Sequence, residues 1–253
     1  MQLWPRAARR RLRRPWPLNR EALKVKSATL PIDYAAVLIF ALCWFGYAWF
    51  AARRSAGRHS LLNVMNPLRE RWFEQTMTRE NRIVDSSLTA NLLHSATFFS
   101  STTILVLGGL LALFGSVEKS ADIIENLPFA QRSSHQLLEA KVVLLILLFV
   151  YALVKFTWSV RQFNFVTILI GSLSPRDKIA ERDRIAAKAA SGILKLAGEN
   201  FGQGMRSYYF AAAALMWFVQ PLFFIAATLV VTFMLYRMEF HSRTLDVLSE
   251  TTK

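Results

Sequence analysis

The sequence predicts an all-α integral membrane bundle of about four transmembrane helices, with amphipathic helices on the cytoplasmic side. Three observations carry this. Apolar residues make up 53% of the 253 residues, with seven Trp and nineteen Phe, more than a soluble domain ordinarily holds. Four runs are long enough to cross about 30 Å of hydrocarbon at 1.5 Å per residue. Lys and Arg gather at the ends of those runs, giving a net charge of +14, which is where membrane proteins place them. That placement makes anionic lipid headgroups the expected counter-charges and argues against a nucleic-acid partner. A single cysteine, Cys43, excludes an intramolecular disulfide and a Cys-rich metal site. Inside an apolar run it reads as a buried or lipid-facing residue.

Residues 1–30 form a basic arm with Arg6, Arg9, Arg10, Arg11, Arg13, Arg14, Arg20, Lys24 and Lys26 against Glu21. Pro5, Pro15 and Pro17 interrupt a helix there, so the arm is expected to be disordered against lipid, or not translated. The membrane domain is expected over 31–248, followed by a short tail at 249–253. Its first span, about 33–52, has no charge inside it. Trp44, Tyr47 and Trp49 suit an interfacial belt and Arg53 and Arg54 end it.

In the connection 53–93, Trp72, Phe73, Met77, Val84, Leu88 and Leu92 recur at near-helical spacing. This predicts an amphipathic helix on the membrane or the bundle. The second span, about 97–116, opens with Ser100, Ser101, Thr102 and Thr103. Their hydroxyls can return to the helix backbone. Gly108 and Ala112 form a small-xxx-small pair for close helix contact.

The loop 117–141 is the one connection with a net negative sign. The third span, about 142–160, continues in helical pattern to Leu173. That is too long for the hydrocarbon, so the helix leaves the membrane near Lys155 to Arg161 and projects beyond it. Ser174, Pro175 and Asp177 then signal a new helix start, with a helix to about Leu196 and a break at Gly198, Gly202 and Gly204. The last span, about 208–236, holds Gln220 and Pro221 near its middle. A kink is expected at Pro221, and Gln220 should face another helix.

Loop charge sets orientation. The first connection carries seven Lys or Arg, the third carries seven, and the second carries three. Loops 53–93 and 161–207 are therefore expected in the cytoplasm, and both termini outside. The basic arm disagrees with this, and the disagreement vanishes if translation starts near the first span.

Several segments are familiar in order: RENRIVDSSLTANL (79–92), FFSSTTILVLGGL (98–110), KFTWSVRQFNF (155–165), NFGQGMRSYYFAAAALMWF (200–218) and YRMEFHS (236–242). Together they resemble the bacterial domain-of-unknown-function 599 family over roughly Pro31 to Leu248. The resemblance implies a bacterial inner-membrane protein of about four spans and implies no activity.

No phosphate-binding loop, dinucleotide fingerprint or nucleophile elbow is present. The four histidines show no metal-ligand spacing, and no cofactor or metal is expected. Glu80 and Asp85 are five apart and read better as partners of Arg79 and Arg82 than as an acid/base pair, so no catalysis is expected. What remains is a polar group expected at the cytoplasmic face: Arg79, Asn81, Arg82, Asp85, Asn91, His94, Lys155, Arg161, Asn164, Asn200 and Arg206. It is either a hydrogen-bonded network within the bundle or a cationic vestibule for an anionic solute or lipid headgroup. The function expected is a scaffold or regulatory subunit that assembles with itself or a membrane partner. The alternative is a small homo-oligomeric channel or transporter, its pore lined by Ser100, Ser101, Thr102, Thr103, Gln220 and the Lys155/Arg161 cluster.

Overall fold

The computed structural model describes residues 20–54, 61–116 and 135–250. Among them there are seven α-helices: α1 Arg20–Arg54, α2 Leu61–Thr78, α3 Ile83–Gly115, α4 His135–Ser172, α5 Glu181–Leu215, α6 Pro221–Phe240 and α7 Arg243–Glu250. Short 3-10 turns at Arg176–Lys178 and Met216–Phe218 precede α5 and α6. Four segments are long and apolar enough to cross a membrane: Pro31–Ala51, Ile83–Gly115, His135–Ser172 and Pro221–Leu248.

Contacts fix the directions. Ser159 Oγ donates to Ala197 O at 2.8 Å and Ser207 Oγ donates to Leu148 O at 2.6 Å, so α4 and α5 are antiparallel. Phe99 packs on Phe201 and Thr103 meets Tyr208 at 2.8 Å, so α3 runs with α5. Phe40 packs on Phe224 and Tyr47 donates to Glu239, so α1 runs with α6. The result has one end at Trp217, Asp33 and Lys141, and another at Arg82, Leu173 and Asp183.

Two apolar cores lie along this axis. Near the Trp217 end, Phe40, Leu145, Phe210, Ala214, Trp217 and Phe224 join α1, α4, α5 and α6. Toward the Arg82 end, Phe73, Ala96, Phe163, Val166, Ala190 and Leu194 join α2, α3, α4 and α5. Phe99, Phe156, Phe201 and Tyr208 stack between them.

The structure departs from the sequence reading at five places. The expected 53–93 helix is two: Trp72, Phe73 and Met77 belong to α2, whereas Val84, Leu88 and Leu92 open the 33-residue α3. The break falls at Arg79–Arg82, where Asn81 Oδ1 accepts the Ile83 N–H at 2.9 Å and so competes with helix continuation. The helix begun at Ser174 is instead a 3-10 turn, and α5 starts at Glu181 behind an extended Ala180. Gly198, Gly202 and Gly204 do not break it: α5 is continuous for 35 residues. Gly204 is there because a Cβ would lie 2.5 Å from the Phe156 ring. The single span 208–236 does not exist. Chain 208–215 ends α5, Gln220 is extended, and Pro221 is the first residue of α6, where its missing N–H is no loss. Finally, α1 begins at Arg20, so the last part of the basic arm is helical rather than disordered; residues 1–19 lie outside the described residues, as do 117–134.

Gly204→Ala is expected to force the fully buried Phe156 side chain out of place, lowering stability by about 1–3 kcal/mol. Thermal melting of the purified protein in detergent checks this, with Gly202→Ala, whose Cβ would meet open space, as the comparison.

Candidate functional site

The polar group read from the sequence separates into distinct clusters. The first stands where α2 and α4 end and α3 and α5 begin. Arg82 occupies its centre. Its Nε donates to Thr76 O at 3.1 Å, Nη1 to Leu173 O at 2.8 Å, and Nη2 to Ser174 O at 2.7 Å. Helix C-termini leave carbonyls unpaired and carry the negative end of the helix dipole. One guanidinium therefore satisfies both α2 and the end of α4.

Asp85, fully buried in the first turn of α3, receives three donors on Oδ1: Arg79 Nη1 at 2.6 Å, Trp72 Nε1 at 2.7 Å and Thr76 Oγ1 at 3.1 Å. Its other oxygen has no protein partner. The arrangement ties α3 to the preceding helix across the 79–82 break. A second carboxylate closes the α4–α5 corner. Asp183 accepts the Ser174 N–H on Oδ1 and the Ala180 N–H on Oδ2, each at 2.8 Å. These two backbone donors hold its carboxyl below the ordinary aspartate value.

A second cluster lies in the seam between α4 and α5. Asn200 Nδ2 donates to Gln162 Oε1 at 3.0 Å, and Lys155 Nζ stands 3.4 Å from Asn200 Oδ1. Arg206 sits two turns further along α5. Eleven positions separate it from Trp217, about 16 Å along the helix. Its guanidinium lies 5.9 Å from the ring of Tyr47, fourteen positions along α1 from Asp33 and toward the basic end of that helix's apolar run.

The remaining sequence candidates do not converge. Asn91, His94, Arg161 and Asn164 are exposed; the Arg161 guanidinium is 5.8 Å from the Trp158 and Phe165 ring centres. Ser100 faces Thr157 across α3 and α4 at 3.4 Å, and Ser101 is exposed. Thr102 returns its hydroxyl to Phe98 O at 2.9 Å. Gln220 is at the opposite end of the bundle, in the turn before α6.

Sequence reasoning missed a cluster at that opposite end. Asp33, 4% exposed, accepts Trp217 Nε1 at 2.7 Å. Lys141, 3% exposed, lies 5.6 Å from the Trp217 ring and feels the Asp33 charge. Both residues border apolar runs, so they resemble ordinary flanking charges. Only the return of α5 to their level pairs them. Among the described residues, no group of His, Cys, Asp and Glu could hold a metal ion.

Two outcomes follow for the corner. Arg82→Gln leaves partly buried carbonyls without donors and should lower stability by about 1–3 kcal/mol, seen as a lower midpoint of denaturation in detergent. The Asp183 latch should be intact at neutral pH. With its pKa depressed in the folded state, its contribution is lost only as pH falls below the ordinary aspartate value of about 3.9. Hydrogen exchange at the Ser174 and Ala180 amides reports it, and Asp183→Ala should remove that pH dependence.

The model of a family described as protein of unknown function, DUF599, matches residues 35–244. No curated protein and no solved structure matches the chain. The match takes in every cluster described above except Asp33, and covers most of the 253 residues. The chain belongs to the DUF599 family, whose function is unknown.

Proposed function

We propose that this protein is a multi-pass inner-membrane scaffold or regulatory subunit that binds a partner protein through the part projecting into the cytoplasm. The observation that carries this is the use of its polar groups. Arg79, Arg82, Asp85 and Asp183 hold one another or the backbone of the same chain. A conduction path needs polar side chains aligned on one stripe toward an axis. Here Ser100, Arg161 and Gln220 lie in different environments, and Thr102 is turned to its own helix.

The antiparallel course of α5 and α6 suggests five crossings rather than four: α1, α3, α4, the second half of α5, and α6. Basic loop 53–93 and the basic segment from 161 to about residue 197 then share the cytoplasmic side, as loop charge favours, and α7 joins them there. The C-terminus moves inside, away from the outside position first expected. α3 is 33 residues long, about 50 Å, so its first turns extend about 20 Å past a 30 Å core. That projecting part exposes Val84, Leu88 and Leu92 at 61%, 46% and 41%. Such a row outside lipid favours a protein surface.

A fluorescent reporter that matures only in the cytoplasm, fused after residue 253, should be bright. A periplasm-active phosphatase inserted after Val219 should be active. The reverse pattern overturns the five-crossing reading. For the scaffold, a native mass spectrum of protein gently extracted from its membrane should show a stoichiometric second protein, lost on Leu88→Glu. A homo-oligomer with no second protein, and anion flux abolished by Arg161→Ala, would replace the scaffold by a channel.

A further inference from the structure

Arg206 has no hydrogen bond or ion pair with any acceptor among the described residues, though it lies at membrane depth. Its guanidinium is 5.9 Å from the Tyr47 ring. Tyr47 donates its hydroxyl to Glu239 at 2.9 Å, and Glu239 makes no ion pair with Arg206. Lys155, one turn along α4 from Tyr151, stands 5.6 Å from the Tyr151 ring. Its one acceptor among the described residues is the neutral Asn200 amide, at 3.4 Å. Each cation thus stands on a tyrosine, Lys155 on Tyr151 and Arg206 on Tyr47, and neither has a carboxylate within 4.0 Å among the described residues. Gln203 completes the face, 3.4 Å from the Tyr151 hydroxyl. Lys155, Asn200, Gln203 and Arg206 are all partly open. Ionisable groups at such depth pair with a counter-charge or a polar lining; among the described residues neither cation has a carboxylate at ion-pair distance, and the Glu239 carboxylate beyond Tyr47 is held by that residue's hydroxyl.

We propose that Lys155 and Arg206 together bind a phosphate-bearing anion on the face of α4 and α5 that carries Tyr151. Arginine presents a planar fork suited to phosphate oxygens, and lysine adds a point charge. Lys155 is fourteen residues from Lys141, about 21 Å, and Arg206 about 16 Å from Trp217. Both side chains are long enough to turn toward the cytoplasmic interface, where lipid phosphates lie. The leaflet rests on the five-crossing reading; the anion site does not. It also leaves open whether a partner protein binds elsewhere.

The test titrates the full-length protein in detergent with phosphatidylglycerol, phosphatidylcholine or inorganic phosphate, and reads bound mass in native spectra. Wild-type protein should retain phosphatidylglycerol over phosphatidylcholine. Lys155→Gln and Arg206→Gln should each weaken retention about fivefold, and the double variant about twenty-five-fold. Lys155→Arg should keep it, as should Arg184→Gln, which removes an exposed charge elsewhere. Retention unaffected by millimolar inorganic phosphate identifies a lipid headgroup; displacement with a phosphate adduct identifies a free phosphate. No preference between the two lipids and no phosphate adduct in the wild type overturns the site, whatever the variants do. Equal retention by a folded double variant also overturns it. A reporter pattern opposite to the one expected above, with retention intact, moves the site to the other leaflet without removing it.

Discussion

Two helices longer than a bilayer is thick must stay in register along their whole length, and the α4–α5 seam is where this chain achieves it. The contact is made by small residues: Ala197, Gly204, Ser207, Ala211 and Ala214 are all buried on α5. They let the backbones approach until Ser159 and Ser207 reach carbonyls of the facing helix. Phe156 fills the hollow over Gly204. α3 then packs on one side of this pair, and α1 with α6 on another. Because the pair runs through both apolar cores, a shift of one turn would misplace both.

The ends of the bundle are closed by chemistry of different kinds. At the Arg82 end the problem is unpaired backbone, since four helix termini meet there. A guanidinium takes carbonyls and a carboxylate takes N–H groups, each matched to the dipole it faces. At the Trp217 end the chain turns back from α5 to α6, and side chains are tied together instead: Asp33 to Trp217, with Lys141 against the same ring. A buried carboxylate or ammonium in such a place is tolerable only with partners. The two knots thus fix the axial position of α4 and α5 from opposite ends, and the Trp217 knot also fixes α1.

How much of this was legible follows from what a sequence encodes locally. Hydrophobic length marked the four apolar helices, and the overrun of α4 beyond Lys155 was plain from its pattern. The importance of Arg79, Arg82 and Asp85 was visible as a cluster, though not their purpose. Arg82 acts on carbonyls more than ninety positions away, at Leu173 and Ser174, which no local spacing signals. Pro221 was ambiguous because proline serves equally as a kink inside a helix and as its first residue. Glycines misled in the same way: Gly204 looks like a breaker in one dimension and is a packing surface in three.

The tight turn between α5 and α6 has a consequence for how the protein is made. On the five-crossing topology, the second half of α5 carries Asn200, Gln203 and Arg206, and an arginine at mid-helix costs about 2.5–3.5 kcal/mol to insert. Such a segment is poorly suited to partition into lipid alone. α6 is apolar throughout its centre and follows after only a few residues. The two would therefore enter as one hairpin during biogenesis, with α6 supplying the drive and α4 already in place to receive the polar face. Synthesis order and final packing then coincide, because the segment least able to insert unaided follows α4 and packs against it on completion.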